Sequence, residues 1–173
     1  LPEGLAIGCM LPREDARDML IGKNIRSVAD LPKGAVVGTS SLRRGAQLLM
    51  LRPDLKVVPL RGNVGTRLSK LEKGEVAATM LAVAGLKRLG IFPPPPLRGR
   101  IEVGGAPWEI LSAGVPSSLT LPLKGGGDIY YLPLALNEFI PAVAQGAIGI
   151  ECRKEDADIM RLLAPLSHAE TES

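Results

Sequence analysis

Aromatic side chains are scarce: one Trp, two Tyr and two Phe in 173 residues. That excludes the stacking platform on which many proteins hold nucleic-acid bases. Long apolar runs are lacking too. The longest, VAATMLAVAGL at 76–86, has 11 residues, well short of the ~20 that a membrane-crossing helix needs. Histidine occurs once, at His168, and cysteine twice, at Cys9 and Cys152. So few ligands, so far apart, do not make a metal centre or a nucleophilic triad, and the two thiols read as free and buried. Neither GxxxxGK[ST] nor GxGxxG occurs, so the usual nucleotide-phosphate motifs are absent. No signal peptide is visible, and because the chain opens on Leu1 it reads as a piece of a longer one.

Charge is present in ordinary amount, 23% of residues, but it is unevenly placed. Residues 39–70 hold Arg43, Arg44, Arg52, Lys56, Arg61, Arg67 and Lys70 against one acid, Asp54. This window alone exceeds the net +3 of the whole chain, and the remainder is net acidic. Such local excess points to a site rather than to a generally basic protein.

The order of apolar segments predicts an α/β unit. LAIGCML at 5–11 reads as a buried strand, and REDARDMLIG as a short helix or turn after it. Then 35–38 reads as a strand and 40–51 as a helix stopped by Pro53, which disfavours α conformation at Arg52. A second strand over 55–60 is followed by a helix over 63–73 that ends at Gly74. A third strand over 76–82 leads into a short helix through Leu86 and Arg88. Strands alternating with helices predict a parallel sheet with crossover connections. Residues 93–128, with PPPP and later GGG, read as a flexible surface insertion. Beyond it, GAIGIEC at 146–152 reads as another buried strand and 155–164 as an amphipathic helix.

Two strand-to-helix junctions carry the chemistry. The first is Gly38-Thr39-Ser40-Ser41-Leu42-Arg43-Arg44, where Ser40 or Ser41 can cap the helix. The second is Arg61-Gly62-Asn63-Val64-Gly65-Thr66-Arg67, with Asn63 available as a cap and glycines that permit close backbone approach. In an open α/β sheet both fall at the carboxyl ends of neighbouring strands, where such folds place ligands. Arginine offers a rigid fork matched to carboxylate or phosphate. One arginine is ordinarily a solvated surface charge, but four at two adjacent loops, with Asp54 the only nearby acid in sequence, predict a polyanion site. Nucleic acid is the weaker reading, because the patch is compact and lacks interleaved aromatics.

VVGTSSLRRGAQLLMLRPDLKVVPLRGNVGTRLSKLEKGE, followed by MLAVAGLKRLG, resembles the porphobilinogen deaminase (hydroxymethylbilane synthase) family, and LPREDARD and PAVAQGAIGIECR extend the resemblance over nearly all of the chain except about 93–128. The resemblance implies a periplasmic-binding-protein-like (type II) domain, a parallel-dominated mixed sheet flanked by helices. It implies a transferase of heme and tetrapyrrole biosynthesis that joins four porphobilinogen molecules, with loss of ammonia, into linear hydroxymethylbilane. The growing chain sits on a dipyrromethane primer held covalently by a Cys. Each pyrrole carries two carboxylates, which accounts for the arginines physically. On this resemblance Thr39, Ser40, Ser41, Arg43, Arg44, Arg61, Gly62, Asn63, Arg67 and Arg88 bind primer and substrate carboxylates, with Gln145 and Gly146 near the cleft.

The same resemblance implies that no catalytic residue lies in this chain. The family's acid/base Asp, in a Lys-Asp motif, falls upstream of Leu1, and the primer's Cys falls beyond Ser173; neither Cys9 nor Cys152 matches it. The chain is then expected to hold a complete second domain, 19–140, between two pieces of the first, 1–18 and 141–173, with domain 3 and most of domain 1 absent. It is expected to be inactive and without primer on its own. Lacking sheet partners, its ends are expected to be poorly ordered, repacked or engaged with another copy. The partners it implies are porphobilinogen and the polypyrrole intermediates, with no nucleic acid and no membrane expected. The family is usually monomeric and works in cytoplasm or plastids. Ala144 stands where the family usually has Gly, and Gly45 where a longer side chain is common.

Overall fold

In the computed structural model the described residues are 1–92, 119–122 and 128–172. Most of the expected insertion at 93–128 therefore lies outside the described residues. The chain divides into two compact units, Arg17–Pro141 and a terminal unit of Leu1–Ala16 with Ala142–Ser173.

The larger unit is built on a six-stranded sheet. Its strands in chain order are β2 (Asp18–Lys23), β3 (Val36–Gly38), β4 (Lys56–Val58), β5 (Ala78–Ala82), β6 (Leu119–Pro122) and β7 (Asp128–Pro133), and they lie side by side as β4-β3-β5-β2-β7-β6. The β3–β4 and β3–β5 ladders are parallel, whereas β2 runs antiparallel to both β5 and β7, and β6 antiparallel to β7. The sheet is thus mixed, with β3, β4, β5 and β7 sharing one direction. Three helices follow the parallel strands: α1 (Leu42–Leu51), α2 (Val64–Glu72) and α3 (Val83–Arg88).

Each face of this sheet has its own core. Met19, Ile21, Leu81 and Tyr131 point to one side, where Leu71 of α2 and Leu86 of α3 cover them. Leu20, Val37, Met80 and Leu132 point to the other side, beneath Leu48 of α1 and Phe139. The period-two alternation of strand side chains accounts for this division. It also explains why REDARDMLIG does not form the expected helix or turn. Residues 18–22 are buried on both faces as part of a central strand, so their apolar run lacks the alternation that would mark it.

In the terminal unit β1 (Leu5–Met10) pairs antiparallel with β8 (Gly149–Arg153), with a register shift between Ile7 and Cys9. Helix α4 (Ala157–Leu163) lies against them, followed by the short α5 (Ala169–Glu172). Gly8 provides the room: a β-carbon there would lie 2.6 Å from Leu163 Cδ1 and 2.8 Å from Cys152 Sγ. The ends therefore pair with each other within one chain, which counts against the expectation that they are poorly ordered. β8 is also less buried than expected, its residues alternating between exposed and half-buried. Cys9 is buried and Cys152 half-buried, and both are free thiols.

Candidate carboxylate-binding site

Adjacent parallel strands β3 and β4 send their helices to opposite faces, α1 to one side and α2 to the other. Strands whose connections diverge in this way leave a crevice at their carboxyl ends. The two arginine-bearing junctions lie at those carboxyl ends.

After β3, Thr39 is buried and its Oγ1 accepts from Ser41 N at 3.2 Å, tightening the turn. Ser41, not Ser40, is the cap of α1, its Oγ accepting from Arg44 N at a long 3.4 Å. Ser40 is exposed. Gly45 is buried, and a β-carbon there would approach Val57 Cγ1 to 3.3 Å, which offsets the helix propensity that a larger residue would gain.

After β4, Asn63 caps α2 twice over, its Oδ1 accepting from Thr66 N and from Thr66 Oγ1, each at 2.9 Å. Gly62 has φ of +117° and a β-carbon there would lie 2.8 Å from Thr66 Cβ, so glycine is required. Arg67 folds back, its Nε donating to Gly62 O at 2.9 Å. Arg61 is exposed, and among the described residues no hydrogen bond or ion pair engages its guanidinium.

Asp18 is the functional candidate that sequence reasoning missed. It opens β2, whose antiparallel pairing sets it opposite Ala82 at the end of β5, and it is fully buried. Arg44 donates from Nε and Nη2 to its Oδ1 at 2.8 and 2.7 Å, and Arg43 Nη1 lies 2.7 Å from its Oδ2. The arginines at this junction are therefore not short of an acid. The acid comes from a strand 25 residues upstream, whereas Asp54 is taken by Arg52 through two contacts of 2.7 and 2.8 Å. Burial holds the Arg44 guanidinium below its usual pKa; Asp18 opposes that shift, and the charges of Arg43 and Arg67 add to it.

The remaining predicted residues belong to other elements. Arg88 ends α3, about 8 Å along the helix axis from its start, and is exposed. Gln145 and Gly146 belong to the terminal unit, where Gln145 Nε2 donates to Ala16 O at 2.7 Å and Gly146 O accepts from Glu14 N at 3.1 Å. A β-carbon at Gly146, whose φ is +91°, would lie 2.3 Å from Glu14 O. Two residues earlier Ala144 holds φ of +57°, a left-handed conformation that a glycine adopts without strain. Among the described residues no cluster of His, Cys, Asp and Glu could hold a metal, and no helix is long and apolar enough to cross a membrane.

Residues 1–161 match the family model described as "Porphobilinogen deaminase, dipyromethane cofactor binding domain". The chain belongs to the porphobilinogen deaminase family. Curated porphobilinogen deaminases from Lysinibacillus sphaericus, Albidiferax ferrireducens and Geobacillus kaustophilus are 46%, 44% and 42% identical to it, over 96%, 99% and 99% of its length. The chain spans less than half of each of them, 43%, 43% and 45%. Among solved structures it is similar to a periplasmic binding protein of Salmonella typhimurium with high arginine specificity (TM-score 0.43, 13% identity, 93% of this chain and 57% of that one). It is also similar to YhfZ from Shigella flexneri (TM-score 0.37, 17% identity, 98% and 60%). Likeness at these scores carries no argument about ligands.

Proposed function

We propose that this chain supplies the carboxylate-holding part of a porphobilinogen deaminase, which as a whole polymerises four porphobilinogens into hydroxymethylbilane. The observation that carries the reading is that Arg43, Arg44 and the 61–67 turn follow the carboxyl ends of the neighbouring parallel strands β3 and β4, with Arg61 uncommitted among the described residues. The donor set fits the acetate and propionate groups of a dipyrromethane: the exposed Arg61 guanidinium and the Ser40 hydroxyl can each donate to a carboxylate. When bound, that group supplies the nucleophilic terminal pyrrole carbon to which each new unit is joined. Arg43, Arg61 and Arg67 would hold acetate and propionate groups, and Ser40 would add a hydroxyl donor. Gln145 and Gly146 would keep the return segment in register through Ala16 and Glu14. The acid/base Asp and the anchoring Cys would lie in the rest of the longer protein, so this chain alone would be inactive and without primer.

Arg61→Ala in the full-length enzyme tests this. Each carboxylate contact to arginine is worth about 1.5–3 kcal/mol, so turnover or primer content is expected to fall at least tenfold. Wild-type turnover with a full complement of primer would remove the assignment. A binding module that captures a polyanion without chemistry is the competing reading; a Lys-Asp motif upstream and a Gly-rich Cys motif downstream would decide for the enzyme.

A further inference from the structure

Resting on the carboxylate-holding reading above, we infer that Asp18 is a positioning residue for ligand binding: by gripping Arg43 and Arg44 with its two oxygens it fixes Arg43 at the rim of the site. The two arginines are adjacent in sequence but are used differently. Arg44 points inward, with Nε and Nη2 on Asp18 Oδ1 and Nη1 3.4 Å from Met80 O, and its side chain is 12% exposed. Arg43 is 26% exposed and reaches Asp18 from the outside, through Oδ2. Its Nη1 also donates to Ile140 O, and its guanidinium carbon lies 6.0 Å from the centre of the Phe139 ring. Gln47 in turn pins Ile140 on both backbone groups, donating to its carbonyl at 3.0 Å and accepting from its N–H at 2.7 Å.

An arginine that grips a carboxylate loses rotamer freedom, and one located beforehand has already lost it. Asp18 also screens the mutual repulsion of Arg43, Arg44 and Arg67 that would otherwise spread the cations apart. Neither effect requires Asp18 to touch the ligand. Its influence on binding should therefore pass through Arg43, while its influence on stability passes through the buried Arg44.

The test is a double-mutant cycle in the full-length enzyme, with KM and kcat for porphobilinogen and thermal unfolding measured on Asp18→Asn, Arg43→Gln and the pair. Asp18→Asn is expected to raise KM about tenfold with a smaller change in kcat. That rise should vanish in the Arg43→Gln background, whereas the loss of Tm should persist there. A wild-type KM in Asp18→Asn, or KM effects that multiply independently, would leave Asp18 a purely structural counter-ion and overturn the inference. If Asp18→Asn does not fold, Asp18→Glu keeps the charge and displaces the carboxylate by one methylene. A raised KM at near-wild-type Tm supports the inference, and a wild-type KM contradicts it. Wild-type KM and turnover in both Arg43→Gln and Arg61→Ala would instead overturn the carboxylate-holding reading itself.

Discussion

At the turn after β3, Asp18 lies within 2.7 Å of both Arg43 and Arg44, and the Arg44 side chain is nearly enclosed. At the turn after β4, Arg67 reaches only the Gly62 carbonyl of its own turn, and Arg61 is exposed. Two loops of similar composition at the carboxyl ends of neighbouring strands thus differ in what balances their charge. The first is neutralised in part from within and is tied to the core, so its arginines serve the fold. The second leaves its charge to solvent or to a ligand, and its shape is maintained by glycine and an Asn cap rather than by ion pairs.

The largest break in this comparison is expected from removing the internal acid. Asp18→Asn strips the counter-charge from a buried arginine, which costs about 3–5 kcal/mol, whereas Arg61→Ala at the exposed turn should stay within about 0.5 kcal/mol. Urea unfolding of the two variants in the full-length protein measures both. Equal stabilities would mean that the Asp18 cluster is not what ties down the first turn.

The caps offer a smaller contrast. Asn63→Ala loses two 2.9 Å bonds and should cost about 1–2 kcal/mol, whereas Ser41→Ala loses one bond of 3.4 Å and should cost about 0.5 kcal/mol. The reverse order in thermal unfolding would show that the first turn depends on its cap after all.

The smallest effect concerns Asp54, the acid that sequence proximity nominates as a partner for these arginines. Hydrogen bonds from Arg52 and from Gly34 N hold its carboxyl well below the usual carboxylate range. A carboxylate with a depressed folded pKa adds stability that is present above its unfolded pKa of about 3.9 and is lost as pH falls below it. Asp54→Asn should therefore lower stability slightly at neutral pH, with the gap narrowing as pH falls below the unfolded pKa towards the much lower folded one, as followed by unfolding from neutrality into strong acid. A constant gap across that range would place the effect elsewhere.

Much of the site could be read from residues close together in the chain. Gly38, Pro53 and Gly74 punctuate the β3–α1–β4–α2–β5 run, and the apolar periods between them are regular, so both junctions follow from local pattern. Asn63 as a cap is equally local. What local pattern omits is pairing between distant segments. β2 is a central strand without alternation, and Asp18 becomes a neighbour of Arg43 and Arg44 only because β2 lies antiparallel beside β5. Counting acids within the 39–70 window therefore found Asp54 and missed the one that matters. The pairing of β1 with β8 across some 140 residues is hidden for the same reason, since register between remote strands has no local signal.

Intact mass of the full-length Arg61→Ala enzyme, taken before and after brief exposure to porphobilinogen, tests the central claim most directly. Less of the species carrying one dipyrromethane is expected, or a ladder of added pyrrole units that stops early, because the carboxylates of the growing chain lose a holder that the fold does not otherwise use. Full primer occupancy with the same ladder as the wild-type enzyme would contradict it.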